Sequence, residues 1–115
     1  MASDPATFAT NVLPGELDPA RPKLVVTPWG TMALYRIDAE VLCAAAFCPH
    51  LEGPLFEGTR SGATITCPWH QWRFDLRTGQ RIALFGMPLP GERLTRCAVE
   101  YDARGAIVLR APVDD

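Results

Sequence analysis

Each of the two histidines in this chain closely follows a cysteine. Cys48-Pro49-His50 is followed, after a spacer of sixteen residues, by Cys67-Pro68-Trp69-His70. Thiolate and imidazole are good ligands for soft and borderline metals, so two of each, delivered by two loops, make a four-ligand site. The proline after each cysteine stiffens the backbone and removes one competing N–H donor. A single Zn²⁺ accepts two Cys and two His, but zinc spacing usually pairs Cys with Cys and His with His. Here each loop supplies one of each, which leaves a mixed-ligand metal cluster as the other chemistry for this set.

Such loops have to be carried by something rigid. Short segments rich in Val, Ile, Leu, Thr and Tyr, separated by turn residues, predict an all-β domain. Strands are expected near Lys23 to Thr27, Thr31 to Ile37, Glu40 to Ala46, Ala63 to Thr66, Trp72 to Asp75, Arg81 to Ala83, Thr95 to Tyr101 and Ala106 to Arg110. Pro28-Trp29-Gly30, Asp38-Ala39, Leu76-Arg77-Thr78-Gly79 and Asp102-Ala103-Arg104-Gly105 supply the Gly, Pro or Asp a hairpin needs, so the pairing should be antiparallel. No window sustains a 3.6-residue apolar period, and Pro5, Pro14, Pro19 and Pro22 oppose a helix near the start. The segments Phe47 to Gly62 and Cys67 to Gln71 interrupt the strand pattern and hold the Cys-Pro and His residues. A third irregular segment, Phe85 to Gly91, is apolar and carries two prolines; taken alone it reads as a surface connection between strands.

With 115 residues the chain has room for one domain, spanning 1–115, and for one cofactor. Hydrophobic residues at 48% and charged residues at 21% fit a folded globular protein rather than a disordered one. A net charge of −2 with scattered basic residues argues against nucleic-acid binding. The sequence has no apolar run of membrane-spanning length, and Met1 to Pro14 lacks a signal-peptide pattern, so a cytoplasmic, non-membrane protein is expected. In a reducing compartment its four cysteines read as ligands or buried thiols rather than disulfides.

The C-x-H and C-x-x-H loops resemble the motif of the Rieske family. The likeness continues through Gly53 and Leu55 and through the run from Cys67 to Gly79; it is weakest before Pro22. It implies a Rieske-like antiparallel β-sandwich with a two-loop cluster-binding subdomain. It also implies one [2Fe–2S] cluster per chain, with Cys48 and Cys67 on one iron and His50 and His70 on the other. Imidazole in place of thiolate makes such a cluster less negative and raises its potential above that of an all-Cys cluster. The resemblance further implies a solvent-facing histidine side and a lid formed by Gly86 to Gly91. Many relatives have Gly after the second histidine, where this chain has Gln71. High-potential members carry a disulfide at the positions of Gly53 and Trp69, and hydroxyl donors from Ser and Tyr at those of Trp72 and Phe74; this chain lacks all of these.

Cys43 and Cys97 match no ligand position and read as small buried hydrophobes in strands. Leu51 and Trp69 are read equally as an apolar docking rim or as internal packing. Glu52, Glu57 and Arg73 read as solvated charges, with steering of a charged partner as the other role. The function the resemblance implies is a monomeric ferredoxin that carries one electron from a flavin reductase to a non-haem iron oxygenase and has no catalytic site. No further His is present for a mononuclear iron centre. The alternatives are the Rieske-like small subunit of an assimilatory nitrite reductase and a zinc-stabilised binding module.

Overall fold

The structure is a computed structural model and describes residues 6–49, 52–69, 71–83 and 86–112. Its strands, in chain order, are β1 (Thr7–Ala9), β2 (Lys23–Thr27), β3 (Gly30–Ile37), β4 (Glu40–Ala45), β5 (Thr59–Ser61), β6 (Thr64–Thr66), β7 (Arg73–Asp75), β8 (Arg81–Ile82), β9 (Arg96–Tyr101) and β10 (Ile107–Arg110). All pair antiparallel, in a six-stranded sheet of order β1-β10-β9-β4-β3-β2 and a four-stranded sheet of order β5-β6-β7-β8. Among the described residues the only helical turns are 3₁₀ pieces at Pro14–Glu16 and Leu55–Glu57. No described helix is long and apolar enough to cross a membrane.

Every segment read as a strand is present, with ends that shift by a residue. Local chemistry sets the reversals. Asp38 takes the left-handed conformation at φ 56° in the two-residue turn between Ile37 and Glu40, which pair across it. Gly105 at φ 83° closes the β9–β10 hairpin by donating its N–H to Asp102 O at 2.9 Å. Two strands were not foreseen. β1 holds one large apolar residue, Phe8, and exists because Thr7 to Ala9 lie in register with Val108 to Arg110. β5, Thr-Arg-Ser, has no apolar periodicity and is held by pairing with β6. In both, tertiary pairing overrides a weak local pattern.

Successive side chains of β3 point to opposite faces, and both faces are covered. Met32 and Leu34 join Val41, Cys43, Cys97, Ile107 and Leu109 inside the curl of the six-stranded sheet. Ala33, Tyr35 and Ile37 join Leu42, Ala44, Leu55, Ile65, Phe74 and Leu76 between the two sheets. Each fully buried large side chain contributes roughly 1.5–3 kcal/mol, and the β3–β4 hairpin serves both cores. Arg96 of β9 ties the sheets together by donating from Nε to Leu76 O at 2.7 Å. At the far edge of the large sheet, β2 leaves Leu24 and Val26 exposed.

Candidate metal centre

Cys48 lies three residues beyond the end of β4, and Cys67 follows β6 directly. Neither cysteine is in a disulfide, and both residues are 1% exposed and belong to the core between the sheets. Backbone bonds fold the first loop tightly: Cys48 N–H donates to Gly53 O at 2.7 Å, Leu55 N–H to the same oxygen at 2.8 Å, and Phe56 N–H to Ala46 O at 3.1 Å. Gly58 lies so close to the Thr66 carbonyl that no Cβ fits there. The second loop is closed by Cys67 N–H donating to Trp72 O at 2.7 Å and Gln71 N–H to Cys67 O at 3.0 Å.

Gly53 brings the loops together. A Cβ built there would lie 3.1 Å from Cys67 Sγ and 3.0 Å from the Trp69 ring, so a side chain at this position would require those neighbours to give by a few tenths of an ångström. Gly53 therefore faces Cys67 of the second loop while its carbonyl fixes the Cys48 backbone of the first. The positions of the high-potential disulfide, Gly53 and Trp69, are in contact here as ring against glycine.

His50, Leu51 and His70 lie outside the described residues, as do Leu84 and Phe85. Among the described residues no three His, Cys, Asp or Glu side chains form a metal-sized group. What the described part offers is a donor pair suited to a thiophilic metal: two buried, unbridged thiols at the mouths of adjoining loops, each leading within three residues to a histidine in the sequence. These residues fit the cluster that the motif implies.

Trp69 is 57% exposed, which fits a rim rather than internal packing, and Met87 at 66% is another large exposed apolar residue. Glu52 and Glu57 are exposed as expected, whereas Arg73 is half-buried in β7 and is not a free surface charge. Met87 belongs to the third irregular segment, which is not a free connection. Ile82 and Pro88 form a bridge, Ala83 N–H donates to Met87 O at 2.7 Å, and Leu89 N–H donates to Arg81 O at 2.8 Å, so this segment extends the small sheet beyond β8. Beneath it the Arg81 guanidinium stacks 3.4 Å from the centre of the Trp72 ring. Sequence reasoning missed this pair; a cation and an aromatic nine residues apart give no local signal.

Gln71 sits at φ 60° and Glu52 at φ 55°, so each loop has a left-handed residue next to or near its histidine. That conformation costs a non-glycine residue about 1–2 kcal/mol. It gives the physical reason for Gly at the position after the second histidine. Gln71→Gly should therefore stabilise the protein, by about 0.5–1 kcal/mol once the greater freedom of the unfolded chain is subtracted. A thermal melt should rise by roughly 2–6 °C, and an unchanged or lower Tm would show that the Gln71 side chain makes a compensating contact.

Residues 10–90 match the Rieske [2Fe–2S] domain. The chain is 39% identical over 74 residues to cholesterol 7-desaturase of Bombyx mori, a stretch covering 61% of this chain and 16% of that protein. It is 31% identical over 71 residues to the ferredoxin component of the naphthalene 1,2-dioxygenase system of Pseudomonas aeruginosa, covering 55% of this chain and 68% of that one. In structure it is similar to the ferredoxin of carbazole 1,9a-dioxygenase from Nocardioides aromaticivorans, with a TM-score of 0.74, 26% identity and coverage of 94% and 99% of the two chains. The paired loops, joined where Gly53 bonds the Cys48 backbone and approaches Cys67 Sγ, and the match across residues 10–90 place this chain in the Rieske [2Fe–2S] domain family.

Proposed function

We propose that the chain is a monomeric, cytoplasmic one-electron carrier of an oxygenase system, a single Rieske domain over residues 1–115 holding one [2Fe–2S] cluster through Cys48, His50, Cys67 and His70. Cys48 and Cys67 take one iron and His50 and His70 the other. When bound, the cluster supplies a reversible one-electron couple. The observation that carries this reading is the joining of the two loops at Gly53, whose carbonyl accepts from Cys48 N–H at 2.7 Å and whose Cα side faces Cys67 Sγ; each loop is headed by a buried cysteine outside any disulfide and continues to a histidine. Burial keeps water from the thiol side, and the exposed Trp69 and Met87 offer an apolar rim on which a partner can dock and leave.

Similarity to ferredoxin components of naphthalene and carbazole dioxygenase systems supports an oxygenase as acceptor; a non-haem iron centre in that acceptor and a flavin reductase as donor complete the proposal. The nitrite reductase subunit finds no such support. The purified protein should be brown, with iron and acid-labile sulfide in equal amounts; a colourless zinc protein would sink the reading. Trp69→Asp and Met87→Asp should slow electron transfer to an oxygenase on the order of tenfold or more while iron content stays intact, since central aromatic contacts dominate docking energy. Unchanged rates in both variants would place docking on another face.

A further inference from the structure

Cys43 and Cys97 have no part in the ligand set, yet they stand directly opposite each other in the β4–β9 ladder. Opposed residues of an antiparallel pair project to the same face, and both side chains enter the core inside the curled sheet. Ala45 N–H donates to Thr95 O at 2.8 Å two residues along, so by the alternation of the ladder Cys43 and Cys97 form a hydrogen-bonded pair. Such pairs have Cα atoms about 5.5 Å apart, inside the roughly 4.4–6.8 Å range of a disulfide, and Cβ atoms about 5 Å apart, wider than the roughly 3.5–4.5 Å a disulfide takes, so closing the bond draws the two strands together at this pair. Both thiols are free. They hydrogen-bond each other, which holds the Cys97 thiol below its ordinary range; the same bond, together with burial, pushes Cys43 up. Cys97, the less completely buried of the two, is the first a reagent reaches, and Cys43 is the resolving thiol.

The ladder they occupy is the seam of the large sheet. It joins the β1-β10-β9 group to the β4-β3-β2 group through the pairs Cys43 with Cys97 and Ala44 with Arg96 and the Ala45–Thr95 bond beside them, whereas β3 and β4 share a ladder from Met32–Ala45 to Ile37–Glu40. A short seam opens locally at lower cost than a long one, and opening gives a small reagent access to sulfurs that are otherwise buried. We propose that Cys43 and Cys97 form a reversible cross-strand disulfide, a redox modification site whose oxidant is a low-molecular-weight disulfide such as glutathione disulfide.

The exchange balances in two steps. The Cys97 thiolate attacks one sulfur of glutathione disulfide, forming a mixed disulfide and expelling one glutathione thiolate. Cys43 then loses its proton to that thiolate, and its sulfur attacks Cys97 Sγ and releases the second glutathione, which takes a proton from solvent as that of the Cys97 thiol went to solvent at the start. Two protein thiols are oxidised and one external disulfide is reduced to two thiols. The new bond closes the loop that contains all four ligand positions and staples the seam, without touching Cys48 or Cys67.

The test is to equilibrate the cluster-loaded protein with glutathione disulfide, including a sample held a few degrees below its Tm so that the seam opens, then to alkylate under denaturing conditions and map the peptides by mass. The expected product is a Cys43–Cys97 cross-linked peptide lacking two hydrogens, with iron content unchanged and a Tm raised on the order of 10 °C, both reversed by dithiothreitol. Cys43→Ala should stop at a glutathione adduct on Cys97 with no such rise. Full alkylation of Cys43 and Cys97 after the warm incubation would overturn the proposal. A Cys48–Cys67 link with loss of iron in place of the Cys43–Cys97 link would overturn it equally.

Discussion

Replacing Cys48 or Cys67 by Ser, or His50 or His70 by Ala, is expected to abolish normal cluster assembly, with iron content and visible absorption falling to near background. A four-ligand site that loses one bond exposes an iron to solvent, and the remaining ligands lose the partner that held them in position. For the cysteines the burial sharpens this. Both cysteines are 1% exposed, neither loop has a second thiol in the sequence, and the other two cysteines face the opposite core, so no replacement thiol is at hand. Cys43→Ala and Cys97→Ala should keep the cluster spectrum and cost stability only, on the order of 1 kcal/mol for a small cavity. Loss of the cluster in Cys43→Ala with retention in Cys48→Ser would reverse the ligand assignment.

The midpoint potential should lie near the lower end of the roughly −150 to +300 mV Rieske range, and Phe74→Tyr should raise it. Hydroxyl donors to the cluster or ligand sulfur stabilise the reduced state. Here Phe74 has no donor, and the positions of the high-potential disulfide are Gly53 and Trp69. Phe74 is fully buried and paired with Ile65 in the β6–β7 ladder, one residue from the strand end that leads into Cys67. A hydroxyl placed there enters a dry core, so it either finds sulfur as an acceptor or remains unsatisfied at a cost in stability. A hydrogen bond to a charged acceptor is worth about 1.5–3 kcal/mol, which for a one-electron couple corresponds to about 60–130 mV. Voltammetry and a melt on the same sample separate the outcomes: a raised potential with Tm maintained supports the bond, and an unchanged potential with a lowered Tm denies it. A wild-type midpoint above about +100 mV would overturn the low-potential reading.

The strands with apolar alternation and the turns built on Asp38, Gly79 and Gly105 were legible in the sequence because local propensity and tertiary need agree there. β1 and β5 were not, since three polar or isolated residues carry no periodicity and their register is set by partners far along the chain. The ligand loops were legible from residue types alone. Two other relations were not. The meeting of Gly53 with Trp69 and Cys67 is a contact between loops, and Cys43 facing Cys97 depends on a strand register that no local pattern encodes. The left-handed backbone at Gln71 was signalled only indirectly, by a side chain standing where many relatives have none.

The outer edge of β2 has a consequence for life at high concentration. Its outward N–H and C=O groups, with Leu24 and the 77% exposed Val26 beside them, form a template on which another chain's strand can add, the usual seed of aggregation. Pro22 and Pro28 stand immediately outside the strand at either end, where neither offers an N–H to extend a foreign ladder, and Lys23 adds a charge that a stacked copy would meet. These gatekeepers confine any intruding strand to the five residues of β2. The exposed edge is thereby guarded against adding a second copy of the chain.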